Sequence, residues 1–211
     1  MNFFLDTNVM LGFIFETDNW NSKSSEVFKH CAPKYSSCYA QEECKNRYKS
    51  KLNRALRELR KFIKQIRLAK SYRELNSQIQ NNFPITKDVL IQFLKNNDNL
   101  ELPELATKFS KFKLKVELKC KNNYNQMLDI VTFHTSQDPH KELAGILQKC
   151  GLLEEDCDDF EIIIDAHDLG INIEKLLFIT GDYKHIVSRK NDIIQNSSIE
   201  DIIGLGDFNY T

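Results

Sequence analysis

The sequence contains no apolar run that approaches the roughly 20 residues a membrane-spanning helix needs. It also lacks a basic region ahead of its N-terminal apolar stretch, so we expect no signal peptide. Its six cysteines form no CxxC pair and no pairing with histidine at zinc-finger spacing, which argues against a structural zinc site. The 41% hydrophobic and 28% charged residues are typical of a globular protein. We therefore expect a cytoplasmic protein with no membrane partner.

Neither sign of charge prevails over the whole chain, whose formal net charge is −1. Residues 45–70 nevertheless contain eleven Lys or Arg against one acid, whereas residues 154–168 contain eight acids and no Lys or Arg. Residues 45–70 also carry apolar side chains at the spacing of one helical stripe. This predicts a long basic helix, whose surface is either simply solvated or binds a nucleic-acid backbone. The interleaved aromatic residues Tyr48 and Phe62 favour nucleic-acid binding, and the candidate RNA-binding residues are Arg54, Arg57, Lys61 and Lys64.

Strand and helix patterns alternate at both ends of the chain, as in a parallel sheet covered by helices. The runs FFL and LLFIT predict buried strands, and DDFEIIIDAHDLG predicts a helix. Residues 192–196 are predicted as a strand and residues 197–203 as a terminal helix. We predict a single α/β domain with its core in residues 1–50 and 137–211 and a basic helical insertion in residues 51–136. Within that insertion, the alternation of residues 112–120 fits a strand, although a Lys-rich helix is the alternative.

Four acidic residues can meet at one edge of this predicted sheet. Asp6 and Asp182 each follow an apolar strand, which places both at the carboxyl edge where such sheets bind ligands. Asp159 opens a helix with an apolar inward face, and Glu43 begins the long basic helix. Clustered carboxylates repel one another unless a divalent cation compensates their charge. Oxygen ligands favour Mg²⁺ or Mn²⁺, ions that activate water and stabilise a phosphoryl group.

The segments FFLDTNVML, SSCYAQEEC, DDFEIIIDAHDLG and LLFITGDYKHI resemble, in this order, the four acidic motifs of the PIN-domain nucleases. In the first motif, an apolar strand is followed by Asp-Thr-Asn, which Asp6, Thr7 and Asn8 match. In the fourth, a strand is followed by Thr-x-Asp, which Thr180 and Asp182 match. The resemblance covers roughly residues 1–50 and 137–211.

The second and third motifs each leave two acids in competition. Glu43 matches the second motif best, with Glu42 as its rival. In the third motif, Asp159 has apolar residues three and four positions on and Ala166 at seven, as the family pattern requires. Asp165 is the alternative metal ligand on this helix. At about 100° per residue, we expect Asp165 to point roughly 90° away from the apolar face and to belong to a solvated acidic face.

The resemblance implies a Rossmann-like PIN fold that carries a metal-dependent endoribonuclease site. Mg²⁺ or Mn²⁺ would be held by Asp6, Glu43, Asp159 and Asp182, the residues expected to hydrolyse RNA phosphodiester bonds. Asn8 and Thr180 are expected either to orient these carboxylates from behind or to satisfy local backbone groups. Family members often dimerise, so the resemblance also leaves open a homodimer and a protein partner, either an antitoxin or an RNA-processing factor.

Two other functions were weighed against a nuclease. The first is a non-catalytic RNA-binding or assembly module that keeps the fold, and retention of all four acids argues against it. The second is a haloacid dehalogenase-like phosphatase, which requires a second acid two residues after the first and another four residues after its Gly-Asp carboxylate. Those positions hold Asn8 and Ile186, so the phosphatase is less favoured.

Overall fold

The computed structural model describes residues 1–151 and 157–209, and the chain divides into two compact units. The first, called the sheet unit, comprises Met1–Arg47 and Asn123–Thr211. The second, called the helical unit, is Tyr48–Asn122. The strands described are β1 Asn2–Leu5, β2 Lys34–Ser37, β3 Val131–His134, β4 Leu176–Thr180 and β5 Asp201–Gly204.

The described α-helices vary in length from 7 to 31 residues. They are α1 Thr7–Ile14, α2 Asn21–Lys29, α3 Cys38–Leu68, α4 Tyr72–Asn82, α5 Lys87–Lys95, α6 Leu102–Ile130, α7 Lys141–Lys149, α8 Cys157–Asn172 and α9 Lys190–Asn196. A short 3-10 helix, Val187–Arg189, precedes α9. Among these helices, none combines the length and the apolar character needed to span a membrane.

The five described strands form one parallel sheet in the order β3-β2-β1-β4-β5. The predicted α/β class is therefore confirmed, and the layout is consistent with a Rossmann-like arrangement. The chain builds the sheet outward from β1 in one direction through β2 and β3, and then in the other through β4 and β5. The order reverses between β1 and β4, and ligands of such sheets bind outside the carboxyl ends of the strands at this reversal. The fold thus selects the ends of β1 and β4 as the place for a site.

The boundary of the predicted insertion differs from the structure at its C-terminal side. Residues 131–134 were included in the insertion, but they form β3, which pairs in parallel with β2 along its whole length. The long helix α3 also begins earlier than expected, at Cys38, so Glu43 lies in its second turn. The helical unit is accordingly shorter than the predicted 51–136.

The predictions for the C-terminal segment are wrong, because strand and helix are exchanged. Residues 192–196, predicted as a strand, lie in α9, whereas residues 201–204, predicted as part of a terminal helix, form β5. Both segments contain the tripeptide Asp-Ile-Ile, so the local pattern does not distinguish them. Pairing decides the matter, since β5 aligns residue for residue with β4, from Leu177 opposite Asp201 to Thr180 opposite Gly204.

The helical unit has its own apolar core, built largely from aromatic side chains. Phe62 of α3 is fully buried and makes edge contacts with Phe83 and Phe109, at centroid distances of 5.5 and 5.0 Å. Its predicted role among the RNA-facing residues is therefore wrong, because its ring packs in the core. Tyr48 is buried as well. Residues 112–120 are helical, within α6, so the strand suggested by their alternation is wrong and the alternative, a Lys-rich helix, is confirmed.

Candidate functional site

Asp6 lies one residue beyond β1, at the N-cap position of α1, and its side chain is only 1% exposed. Its backbone N–H donates to the carbonyl of Ile179 in β4, at 3.0 Å, which carries the β1 and β4 pairing one residue past the strand. The hydroxyl of Thr180 donates to Asp6 Oδ2 at 2.7 Å, and the amide of Asn8 donates to the same oxygen at 3.2 Å. The carboxylate is therefore held by one donor from β4 and one from α1.

Burial raises the pKa of Asp6 from 3.8 to about 6, and the negative charge of Glu43 adds to the rise. Hydrogen bonds from Thr180 and Asn8 oppose it. A buried carboxyl with a raised pKa needs either a proton or a nearby cation to be stable. Asp6 is thus a buried carboxylate that is costly to ionise, and it lies where the strand order of the sheet reverses.

Asp182 follows β4 and is connected to Asp6 through Thr180. The backbone N–H of Asp182 donates to the Thr180 hydroxyl oxygen at 2.9 Å, while that hydroxyl donates onward to Asp6. Close packing supports this junction, because a Cβ atom on Gly181 would lie only 3.2 Å from Cβ of Asn8. Asn8 and Thr180 thus contact Asp6 in the manner expected of residues that orient it.

Asp159 lies in the first turn of α8 and belongs to a compact group of possible ligands. One ligand atom each from Asp159, Asp182 and His185 lie within 4.8 Å of one another. The backbone N–H of His185 donates to Asp182 Oδ1 at 2.8 Å, and His185 Nδ1 lies 3.1 Å from Oδ2. We call these three residues the Asp-Asp-His cluster. All three side chains are partly exposed, so the cluster is open to solute.

Glu43 faces the Asp6 segment, whereas Glu42 does not. The hydroxyl of Thr7 donates to Glu43 Oε2, and Arg47 forms an ion pair with Glu43 Oε1 at 2.6 Å. Both Glu42 and Glu43 border an open groove of about 730 Å³, so the groove does not distinguish them. Glu42 pairs instead with Lys45 at 2.8 Å, and its side chain is 59% exposed. Of the two rivals for the second motif, the geometry favours Glu43.

Asp165 is buried, so its assignment to a solvated acidic face is wrong. Its side chain accepts hydrogen bonds from the Ser37 hydroxyl at 2.5 Å and from the backbone N–H of Ser136 at 2.7 Å. Burial raises the pKa of Asp165, although these two donors and the nearby His134 lower it. The angular estimate failed because α8 packs this side against β2. Asp165 joins α8 to the ends of β2 and β3 and is not part of the Asp-Asp-His cluster.

A second polar group, unassigned by the sequence, lies further along α8. Asp168 is bound by His134 Nε2 at 2.7 Å and by His140 Nε2 at 2.8 Å. Burial alone would raise the pKa of Asp168, but these hydrogen bonds hold it below its usual value. The ring of His167 packs edge-on against His140, and its Nδ1 accepts from the backbone of Ser198. These contacts fasten α8 to neighbouring segments and give the group a structural role.

His185 is the residue of the site that sequence reasoning missed. An isolated histidine near a motif is more often structural, so the sequence by itself assigns His185 no role. The signal was available in its spacing, since a histidine three residues after Asp182 in a turn can reach the same carboxylate.

The predicted RNA-binding residues lie on the exposed surface of α3 in the helical unit. Arg54, Arg57, Lys61 and Lys64 are all exposed, whereas Leu52, Leu56, Leu59 and Ile66 form the buried stripe of the same helix. Lys61 also lies over the ring of Phe83, at 5.4 Å from its centroid. The predicted division of α3 into an apolar stripe and a basic surface is confirmed.

The carboxylates of the site and the imidazole of His185 together suit a hard divalent cation that also accepts a nitrogen ligand. Carboxylate oxygens are preferred by Mg²⁺ and Mn²⁺, and an imidazole at the same point is more compatible with Mn²⁺ than with Mg²⁺. Burial, with a smaller contribution from the charge of Glu43, raises the pKa of Asp6, and a cation at this edge of the sheet would oppose that rise. Asp6 and Glu43 form one part of the site and the Asp-Asp-His cluster the other, and Thr180 bridges them.

Fold and site together define an α/β protein with a parallel sheet and an acidic site at the reversal of its strand order. Comparison of the chain with models of protein families, with curated proteins and with solved structures finds no match.

Proposed function

We propose that this protein is a metal-dependent endoribonuclease of the PIN type, with Mg²⁺ or Mn²⁺ held by Asp6, Glu43, Asp159 and Asp182. The observation that carries the proposal is the Thr180 bridge between Asp6 and Asp182, at the reversal point of a parallel sheet. It brings together the first and fourth acidic motifs, which are far apart in sequence. The close approach of Asp159 to Asp182 adds the third motif.

The roles of the residues follow from their surroundings. A divalent cation in such a site supplies Lewis-acid stabilisation of a phosphodiester and activation of water. Thr180 and Asn8 fix the Asp6 carboxylate through Oδ2. Arg47 neutralises part of the charge on Glu43. The open groove beside Glu43, lined also by Tyr39 and Thr135, gives a substrate access to this part of the sheet unit.

The exposed basic surface of α3 would bind the RNA backbone and supply affinity without reading sequence. Arg54, Arg57, Lys61 and Lys64 are the residues assigned to it, and their exposure supports the assignment. A cytoplasmic location, a homodimer and an antitoxin or RNA-processing partner remain predictions from the sequence and its resemblance.

The test is cleavage of a structured RNA by the purified chain with Mn²⁺ or Mg²⁺, compared with the same reaction in EDTA. Asp6→Asn should abolish cleavage, because the amide keeps the volume of the side chain and loses its charge. Asp129→Asn is the matched control, since Asp129 is exposed on α6 within the same unit. Equal activity of Asp6→Asn and wild type, or cleavage that survives EDTA, would contradict the proposal. RNA binding without any cleavage would favour the non-catalytic alternative.

A further inference from the structure

A groove of about 690 Å³ lies on the surface of the helical unit, between residues of α5, the segment after it and α6. Its apolar lining includes Phe93 and Phe112, whose ring centroids are 4.9 Å apart with a tilt of 39°. Phe93 is buried, whereas Phe112 is partly exposed and also packs at a tilt against Phe109, at a centroid distance of 5.6 Å. The exposed part of the Phe112 ring is therefore the aromatic surface that the groove presents.

Three lysines border this groove in a row along α6. Lys108, Lys111 and Lys115 all line it and are exposed. Their spacing of three and four residues keeps them within about 60° of one helix face, and the row extends about 10 Å by the helical rise. Among the described residues, none of the three has an ion-pair partner, whereas Lys121 on another face of α6 pairs with Glu117 at 2.9 Å. Glu104 is an acid at the N-terminal end of the row.

The chemistry of this groove matches a single-stranded nucleic acid. Proteins bind single strands without sequence preference by combining a positive groove for the backbone with aromatic rings on which bases stack. A duplex exposes its phosphates but keeps its bases stacked inside, so it can use the lysines and not Phe112. An acidic peptide could also pair with the lysines, but it has no flat ring to place on Phe112.

We propose that the groove lined by Lys108, Lys111, Phe112 and Lys115 is a binding site for single-stranded RNA. One base stacks on Phe112, and the phosphates on either side of it lie along the lysine row. The inference rests on the proposed function for its RNA ligand and adds a binding site in the helical unit, outside the acidic residues of the sheet unit. It uses none of the α3 residues assigned above to backbone contact.

The test measures binding of a labelled oligouridylate of about 12 nucleotides, a length within the range of single-strand sites. All titrations contain EDTA, so they report binding alone and are independent of cleavage. The triple variant Lys108→Ala, Lys111→Ala, Lys115→Ala should lower the slope of log affinity against log salt by roughly 2, from about 0.7 per phosphate contact on a single strand. The double variant Lys113→Ala, Lys121→Ala is the control on other faces of α6, and its slope should stay near that of wild type.

Phe112→Leu tests the stacking contact, because leucine retains apolar packing against Phe93 and removes the aromatic face. We expect affinity for the single strand to fall about fivefold or more, as for loss of one stacked base, and affinity for duplex RNA to be unchanged. Thermal unfolding of each variant checks that the helical unit is intact.

Three results would overturn this inference. They are an unchanged salt slope in the triple variant, equal losses in the two lysine variants, and equal binding of the single strand by Phe112→Leu and wild type. Competition by polyglutamate as strong as that by the oligouridylate would point instead to an acidic protein partner. Because no titration depends on metal, failure here would leave the cleavage test untouched, and failure of cleavage would leave this one intact.

Discussion

The two units of the molecule carry opposite charges and hold them in different ways. The sheet unit has 11 Lys and Arg against 23 Asp and Glu, and the helical unit has 18 against 7. The formal net charge of −1 is the near-cancellation of these two balances. In the sheet unit, Asp6 and Asp165 are 1% and 2% exposed. In the described part of the helical unit, the buried polar side chains are uncharged, and the basic residues lie on helix surfaces.

This difference shows that the cost in folding stability depends on whether a charged side chain is exposed or buried. An exposed lysine or arginine costs little and acts on a polyanion at a distance set by salt. A buried carboxylate costs stability and is retained only where a partner or a function compensates it. The sheet unit contains two such acids, because Asp6 and Asp165 each accept hydrogen bonds and burial raises the pKa of each. Among the described residues, His134 opposes the rise at Asp165, whereas no cationic side chain opposes it at Asp6. Asp6 is therefore the acid whose cost most needs a functional explanation.

Substitutions of Asp159 and Asp165 test the comparison most strongly, because the first acid is proposed to hold the cation and the second to hold the fold together. We predict that Asp159→Asn lowers cleavage by about 100-fold or more, because even residues that only support a metal ligand are worth about 10 to 100-fold. Asp165→Asn should lower cleavage at least tenfold less. It should instead destabilise the fold by about 1–3 kcal/mol, because the amide leaves one of the two donors from Ser37 and Ser136 unmatched.

Cleavage assays at matched fractions of folded protein, together with urea unfolding, would distinguish the two effects. If Asp165→Asn were the more damaging to cleavage while folded, the cation would lie on the Asp165 side of α8, and the division between catalytic and structural acids would be wrong.

Charge reversal in the helical unit should change binding and leave the sheet unit alone. Changing Arg54, Arg57, Lys61 and Lys64 to Glu is expected to weaken RNA binding on any sequence and to lower the log-log salt slope by roughly 3, at about 0.7 to 0.9 per phosphate contact. Mn²⁺ binding, followed by the fluorescence of the single tryptophan, Trp20, should be unchanged, because Trp20 lies beside Gly181 in the sheet unit. An unchanged affinity and slope would mean that α3 has an ordinary solvated face.

His185 offers a more selective test of the sheet unit, since it would supply the nitrogen donor to a cation bound at the Asp-Asp-His cluster. His185→Asn should lower Mn²⁺ affinity about tenfold and Mg²⁺ affinity less, because imidazole is a poorer ligand for Mg²⁺. The control is His167→Asn, which removes a ring that contacts His140 and Ser198 and lies outside the Asp-Asp-His cluster. Equal losses for the two ions would show that His185 acts only by holding Asp182 in place.

Sequence reasoning predicted the parts of the fold that depend on local patterns of apolar residues. The apolar runs before Asp6 and Gly181 gave β1 and β4, and their parallel pairing explains why the two acids lie near one another. The exchange of strand and helix near the C-terminus shows the limit. Asp192 and Asp201 each begin the tripeptide Asp-Ile-Ile, and only pairing with β4, a distant segment, makes the second one a strand.

The residues of the site likewise include some that local patterns predict and some that they do not. Strand ends and helix starts were enough to predict Asp6, Asp159 and Asp182, because those positions share an edge in any parallel sheet. The role of Asp165 could not be predicted, since its two donors, Ser37 at the end of β2 and Ser136 just after β3, are brought together by a strand order that the sequence does not state. His185 was missed for a different reason, because an isolated histidine near a motif is more often structural.

The smallest expected effect is the change in folding stability caused by the buried charge of Asp6. Because the pKa of Asp6 is raised from 3.8 to about 6 in the folded chain, its contribution to stability is fully present below about pH 4 and is lost as the pH rises through 6. In EDTA, Asp6→Asn should therefore be more stable than wild type at pH 7.5, by about 1–3 kcal/mol, and equal to it near pH 4. Lys64→Gln, which removes an exposed charge from the helical unit, should change stability by less than about 0.5 kcal/mol at either pH. Urea unfolding at several pH values measures both.

Added Mn²⁺ should stabilise wild type and leave Asp6→Asn nearly unchanged, because only the wild-type carboxylate gains from the cation. If Asp6→Asn were less stable than wild type at pH 7.5 in EDTA, the Asp6 charge would be compensated within the protein itself, and its burial would no longer point to a metal.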